Sequence, residues 1–147
     1  MPEWLRDFKQ NEKKVTCLFG EHLLNKNPNN WIGLVEAPKT AIISSLYFGF
    51  PDHQENLLWL AVYNKSSLNY EKCKNLIGRK VILFPDLSIN GKTFEHWKDK
   101  SVELSRKLPG SNFITSDLLE KNADKYGREL GADIADYLIN INWKNFR

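Results

Sequence analysis

Two short apolar segments, Trp31-Ile-Gly-Leu-Val-Glu36 and Lys80-Val-Ile-Leu-Phe-Pro-Asp86, decide the fold class of this chain. Each is a nearly continuous run of Val, Ile and Leu without polar alternation, which is typical of a strand covered on both faces. Such strands form the parallel sheets of α/β proteins. A third segment, Leu57 to Tyr63, has the same character, and Asn112 to Thr115 predict a short fourth strand.

Helical patterns separate these strands, as alternating β and α units require. A helix is predicted to begin at Pro38, because proline suits the first helical turn, where its missing N–H has no partner to lose. A second helix is predicted from Phe94 to Leu108, a weaker one from Asn69 to Leu76, and a last one from Asp133 to Ile141 with Asp133 as its N-cap. We therefore expect a single α/β domain of Rossmann-like shape, with a central, mostly parallel sheet of about four strands and helices on both faces.

Composition excludes several classes of protein. The chain has 147 residues, 41% of them apolar, and a net charge of +3, which indicates one globular domain and excludes disordered and strongly basic proteins. Residues 1–30 are more polar and are predicted to form an N-terminal extension, with the domain proper over residues 31–147. Cys17 and Cys73 are predicted to be free thiols, and no apolar run is long enough to span a membrane. A cytoplasmic protein without membrane contact is expected.

Two carboxylates follow separate buried strands, Glu36 and Asp86. In open parallel sheets, ligands bind at the carboxyl ends of the strands, and neighbouring strands lie about 4.8 Å apart, so the two acids could share a cation or flank a phosphate. The alternative is that each acid caps the next helix or meets water. Lys39 lies in the first turn of a helix, where a phosphate could be held, or it is an ordinary solvated lysine.

Basic residues are concentrated in the centre of the chain, where residues 65–110 hold ten basic and five acidic side chains. Lys92, Lys98 and Lys100 could line a groove beside the acidic edge and neutralise a nucleic-acid backbone. The alternative is the ordinary solvated face of a helix.

Three segments together resemble the toprim (topoisomerase/primase) domain: Leu34-Val-Glu-Ala-Pro-Lys-Thr-Ala41, Phe84-Pro-Asp-Leu-Ser-Ile-Asn-Gly91 and Gly131-Ala-Asp-Ile-Ala-Asp-Tyr-Leu138. They are similar in order and spacing to the primase-type version in poorly characterised mobile-element proteins of Bacteroidetes. In that family a Glu follows the first strand, a DxDxxG loop follows the third, and a D-x-x-D-like helix start closes the domain.

The resemblance implies a role for each matching residue. Glu36 would be the general acid or base of phosphoryl transfer, Asp86 a Mg²⁺ ligand and Lys39 a phosphate-contacting catalytic residue. Asp133 would be an outer metal ligand with Asp136 beside it, or both would simply cap their helix. Ser88 occupies the place of the second loop acid, which weakens a Mg²⁺ or Mn²⁺ site without forbidding it.

The resemblance also implies a function. It points to a nucleic-acid-processing domain associated with DNA primase or mobilisation, acting as a Mg²⁺-dependent nucleotidyl transferase or nuclease, or binding nucleotide or nucleic acid. Single-stranded DNA or primer-template would be the partner, together with other replication or mobilisation proteins. The alternative is a catalytically degenerate toprim module that serves in DNA binding or protein interaction, and a third reading is a Rossmann-like small-molecule phosphatase or nucleotide-binding protein.

Overall fold

A computed structural model describes residues 16–140 of the chain. These residues form a four-stranded sheet in which all neighbouring strands are parallel. The strands are β1 (Ile32–Val35), β2 (Leu58–Ala61), β3 (Lys80–Leu83) and β4 (Asn112–Thr115). The helices are α1 (Pro38–Phe48), α2 (Tyr70–Cys73), α3 (Lys92–Lys107), α4 (Leu118–Asn122), α5 (Lys125–Leu130) and α6 (Ile134–Ile139), and 3₁₀ turns lie at Glu21–Leu23, Lys65–Ser67 and Lys74–Leu76. The predicted α/β fold with four parallel strands is confirmed.

Strands β1 and β2 form from apolar segments whose side chains are buried on both faces of the sheet. All four residues of β1 and all four of β2 are buried. In the register of this pair, Gly33 lies opposite Trp59. A Cβ atom on Gly33 would lie 2.7 Å from the indole ring, so the glycine is needed for the ring to lie across the sheet.

Helices cover both faces of the sheet, as predicted. On one face, Leu34 and Leu83 belong to the same apolar cluster as Trp97 and Leu104 of α3. On the other face, Val35, Trp59 and Ala61 cluster with residues of α1 and α6. Full burial of one large apolar side chain contributes about 1.5–3 kcal/mol, so the sheet and its two helical layers stabilise one another.

For the predicted helices α1, α3 and α6, the described boundaries agree with the sequence prediction to within two residues, whereas α4 and α5 were not predicted. Pro38 is the first residue of α1, as predicted. Helix α3 begins at Lys92 because Gly91 ends the preceding loop with φ 71°. Asn69 caps α2, which passes into a 3₁₀ turn at Lys74–Leu76. The predicted end of the last helix at Ile141 lies outside the described residues.

The described part of the predicted N-terminal extension packs into the domain. Leu18 and Leu24 are buried in the core on the α3 side of the sheet. The backbone N–H of Phe19 donates to the carbonyl of Ala61 at 2.9 Å, so this segment pairs with the end of β2.

Both cysteines are free thiols, as predicted. Cys73 is buried, and burial raises the pKa of its thiol to about 12, which keeps it unreactive. Within residues 16–140, no helix is long and apolar enough to cross a membrane.

Candidate metal and phosphate site at the carboxyl edge of the sheet

The order of the strands is β2-β1-β3-β4. The chain places β2 on one side of β1 and then crosses to the other side to form β3, so the topological switch point lies between β1 and β3. In doubly wound sheets, ligands bind beyond the carboxyl ends of the strands at such a point. The residues that follow β1 and β3 are therefore the first candidates for a functional site.

Glu36 and Asp86 follow these two strands and meet at the switch point. Backbone pairing continues past the strands, since the Phe84 N–H donates to the Leu34 carbonyl at 2.9 Å. The side chains of Glu36 and Asp86 form a hydrogen bond, and both are partly buried. The expected convergence of the two acids, which we call the edge pair, is therefore present.

The surroundings of Asp86 favour its protonated form. Burial, then the charges of Glu36 and Asp133, the hydrogen bond with Glu36 and the charge of Asp136 together raise the pKa of Asp86 to about 8. Within residues 16–140, no lysine or arginine lies within ion-pair distance of either member of the edge pair. A proton on Asp86 relieves the repulsion between the two crowded carboxyl groups, and a divalent cation could take the place of that proton.

The edge pair opens into a cleft of about 560 Å³ with a mixed polar and apolar lining. Three basic residues, Lys65, Lys92 and Arg128, line it together with Ser88 and Asn90. Lys65 and Lys92 have no ion-pair partner within residues 16–140, so their charges are available to an anionic ligand. The cleft thus places paired carboxyl groups beside free cations.

Asp133 and Asp136 form a capping box at the start of α6, and the predicted role of Asp133 as an outer metal ligand stays a prediction. Asp133 accepts from the Asp136 N–H at 2.9 Å, and Asp136 accepts from the Asp133 N–H at 2.9 Å. The second carboxylate oxygen of Asp133, a residue only 7% exposed, accepts from the Thr40 hydroxyl at 2.7 Å. Both carboxylate oxygens of Asp133 therefore accept hydrogen bonds. Asp133 and Asp136, which we call the capping pair, cap their helix, as the alternative prediction stated.

Lys39 lies beside the capping pair. Its ammonium is 3.7 Å from Asp133 Oδ2 and 3.9 Å from Asp136 Oδ1, and its side chain is mostly exposed. The structure thus gives Lys39 two carboxylate partners in place of a free charge. Its predicted contact with a phosphate stays a prediction.

Ser88 lines the cleft but its hydroxyl already supports the loop. The oxygen accepts a hydrogen bond from the Thr93 N–H at 3.1 Å, near the start of α3. The Ser88 carbonyl accepts from Arg128, whose other guanidinium nitrogen pairs with Glu120 at 2.7 Å.

No group of three or more His, Cys, Asp or Glu side chains in the described residues is arranged to hold a metal. The edge pair is therefore the donor set that the structure offers.

The three predicted groove lysines on α3 separate into two environments. Lys92 lines the cleft. Lys98 lies over the ring of Phe94, 6.0 Å from its centroid, and Lys100 pairs with Glu103 at 2.8 Å. Lys98 and Lys100 are not among the residues that line the cleft.

Two basic residues of the cleft, Lys65 and Arg128, were not predicted from the sequence. Lys65 follows β2 at the same edge of the sheet as Glu36. This position could have been predicted from the sequence, because neighbouring parallel strands end at the same edge of a sheet. The Trp97 indole N–H donates to the Lys65 carbonyl at 3.3 Å and so holds the Lys65 backbone in place. Arg128 reaches the site from a distant helix, and no local pattern marks it.

Fold and site together define a doubly wound α/β domain with a carboxyl pair at its switch point. The chain belongs to the DUF6371 family, a domain of unknown function, whose family model matches residues 2–87. The matched range includes both acids of the edge pair and ends before Ser88. It also extends across the predicted boundary at residue 30 between the N-terminal extension and the domain. No curated protein and no solved structure matches the chain.

Proposed function

We propose that this domain binds Mg²⁺ or Mn²⁺ at Glu36 and Asp86 and acts on, or holds, a phosphodiester or nucleotide. One observation carries the proposal: carboxyl groups from two adjacent strand ends meet in a cleft that Lys65, Lys92 and Arg128 line. The resemblance of three segments to toprim domains adds support. It suggests a nucleic-acid-processing role associated with DNA replication or mobilisation in the cytoplasm, alongside other proteins of those processes.

The donor set fits magnesium. Mg²⁺ is usually bound by one or two carboxylates, and waters and substrate phosphates complete its octahedral shell. Glu36 and Asp86 supply two carboxyl groups, and the cleft has room for a hydrated ion and a phosphate. When bound, the ion would neutralise charge on the phosphate oxygens.

The chain's own side chains would divide the remaining work. Lys65 and Lys92 would hold the phosphate from the side of the cleft, because both are unpaired within residues 16–140. Glu36 would donate or accept the proton of the reacting hydroxyl. Arg128 would keep the loop at Ser88 in place through its bond to the Ser88 carbonyl.

A metal titration of the full chain tests the proposal. Calorimetry and NMR with Mg²⁺ and Mn²⁺ should show a saturable response in the wild type, which Glu36→Gln with Asp86→Asn abolishes. The matched control is Glu95→Gln with Asp99→Asn, which removes the same two residue types from exposed positions of α3 and should leave the response intact. A response that persists without the edge pair would overturn the metal site.

A nucleic-acid titration completes that experiment. Binding of a short single-stranded oligonucleotide should weaken as salt rises, since phosphate contacts release counterions. Replacing Lys65 and Lys92 by glutamine should reduce both the affinity and the salt slope. The same replacement of Lys98 and Lys100 should have the smaller effect, because neither lines the cleft. The reverse order would place the nucleic acid on the outer face of α3.

A degenerate module is the second candidate, and Ser88 favours it. The loop lacks a second acid to hold a metal because residue 88 is a serine, and the serine hydroxyl accepts a hydrogen bond from the Thr93 N–H. Incubating the metal-loaded wild type with nucleotide and with oligonucleotide separates the two candidates. Turnover that is lost in Glu36→Gln supports the enzyme, whereas metal-dependent binding without turnover supports the binding module.

A further inference from the structure

Tyr63 has an unusual backbone conformation for its residue type. It is the non-glycine residue with positive φ, 80°, in the described part of the chain. Glycine adopts this conformation freely, whereas a bulky side chain makes it strained. Such strain persists where the surrounding structure enforces it, and it is concentrated at functional sites.

Tyr63 forms a backbone hydrogen bond with Glu36, one member of the edge pair. Tyr63 follows β2 at the carboxyl edge of the sheet, and its N–H donates to the carbonyl of Glu36 at 2.8 Å. Two residues further on, Lys65 lines the cleft. The conformation of Tyr63 therefore belongs to the same edge as the proposed metal and phosphate site.

The tyrosine ring is presented to solvent and not packed into the core. The residue is 49% exposed. The ammonium of Lys72 lies 4.4 Å from the ring centroid, so a cation supports one face of the ring. A glycine would remove the strain, and Tyr63 belongs to neither apolar core cluster, so core packing does not account for an aromatic residue here.

We propose that Tyr63 stacks on a nucleobase of the ligand whose phosphate the cleft holds. This inference rests on the proposed function and extends it, because it makes the substrate a nucleotide or single-stranded nucleic acid and excludes a bare phosphate ester. Base stacking on an aromatic side chain tolerates any sequence, since every base has a π face. The positive charge of Lys72 behind the ring adds attraction for the phosphate backbone.

Two oligonucleotides of equal length test the proposal, one of thymidylates and one with abasic sites, each titrated with Mg²⁺ present. The wild type should bind the thymidylate strand more tightly by about 5-fold to 150-fold, the range expected for one stacked base. Tyr63→Gly should remove this preference and leave binding of the abasic strand unchanged. Tyr63→Phe should retain the preference, because the ring remains.

The outcomes distinguish the two proposals. Equal binding of both strands by the wild type would overturn the stacking role and leave the proposed function standing. Failure of the wild type to bind either strand would overturn both. Weaker binding of both strands by Tyr63→Gly would overturn stacking in favour of a positioning role through the Glu36 carbonyl. Urea unfolding should show Tyr63→Gly to be no less stable than the wild type, so that misfolding does not explain the loss.

Discussion

The edge pair and the capping pair are both pairs of acidic residues, but they differ in the partners that surround their carboxyl groups. Asp133 and Asp136 follow a short loop and are satisfied by two backbone N–H groups, the Thr40 hydroxyl and the ammonium of Lys39. Glu36 and Asp86 face each other with no basic partner within residues 16–140. The first arrangement stabilises the fold, whereas the second is unfavourable unless a proton or a cation is present.

The difference shows how a carboxylate can be assigned to structure or to ligand binding. Burial does not separate the two pairs, because Asp133 is more buried than Asp86. What separates them is whether protein groups satisfy the carboxylate oxygens. Functional sites are where perturbed acids without internal partners are found, so the edge pair is the better candidate.

The largest effect on the free energy of unfolding is expected from a rise in pH, because it removes the proton from the edge pair. The pKa of Asp86 is raised from 3.8 to about 8, so folding keeps a proton that the unfolded chain releases above pH 4. This contribution is fully present below the unfolded pKa and is lost as pH rises through the folded pKa. In metal-free protein, stability should therefore fall between about pH 4 and pH 8, by at most about 1.4 kcal/mol per pH unit.

Urea unfolding of the wild type and Asp86→Asn at pH 5 to 9 measures this effect. The difference between the two free energies of unfolding should move in favour of the variant as pH rises, and it should level off above about pH 8. Parallel pH profiles would show that folding does not raise the pKa of Asp86.

A smaller effect is expected from the capping pair. Asp133→Ala removes an N-cap, which costs about 0.5–2 kcal/mol, and leaves the Thr40 hydroxyl without its partner. We expect a loss of about 2–3 kcal/mol in urea unfolding. Combining it with Thr40→Val should cost less than the sum of the two single changes, since they share one hydrogen bond. Strict additivity would contradict the observed contact.

The smallest effect is expected at Lys39. Its ion pairs with the capping pair are long, 3.7 and 3.9 Å, and its side chain is mostly exposed. Lys39→Gln should therefore change the free energy of unfolding by less than about 0.5 kcal/mol. If the same variant weakens oligonucleotide binding, Lys39 contacts phosphate as the resemblance implies. A large loss of stability would instead make the lysine part of the capping pair's support.

The local elements of the fold were predictable because their signals are local. The unbroken Val, Ile and Leu runs mark β1 and β3 as parallel strands, although only β1 is buried along its whole length, and Pro38 marks the start of α1. Asp133 was predicted as an N-cap, and the capping box confirms it. Helices α4 and α5 were not predicted, because their five and six residues carry too short a pattern to be recognised.

The candidate site was predictable in part. The positions of Glu36 and Asp86 after their strands were visible in the sequence, and so was the alternative that Asp133 caps a helix. The role of Lys65 and Arg128 in lining the cleft was missed. Arg128 comes from a helix that meets the loop 40 residues earlier in the chain, and the partner of Asp133, Thr40, lies 93 residues away.

The amino-acid sequence by itself determined that this chain forms parallel strands between helices and that two of those strands end in an acid. Tertiary structure decided that β1 and β3 are neighbours, which brings the two acids together, and that α6 and α1 satisfy Asp133. The physical reason is that hydrophobic periodicity depends on the few residues around each position. The order of strands in a sheet depends on which apolar faces are buried together, and that choice involves the whole chain.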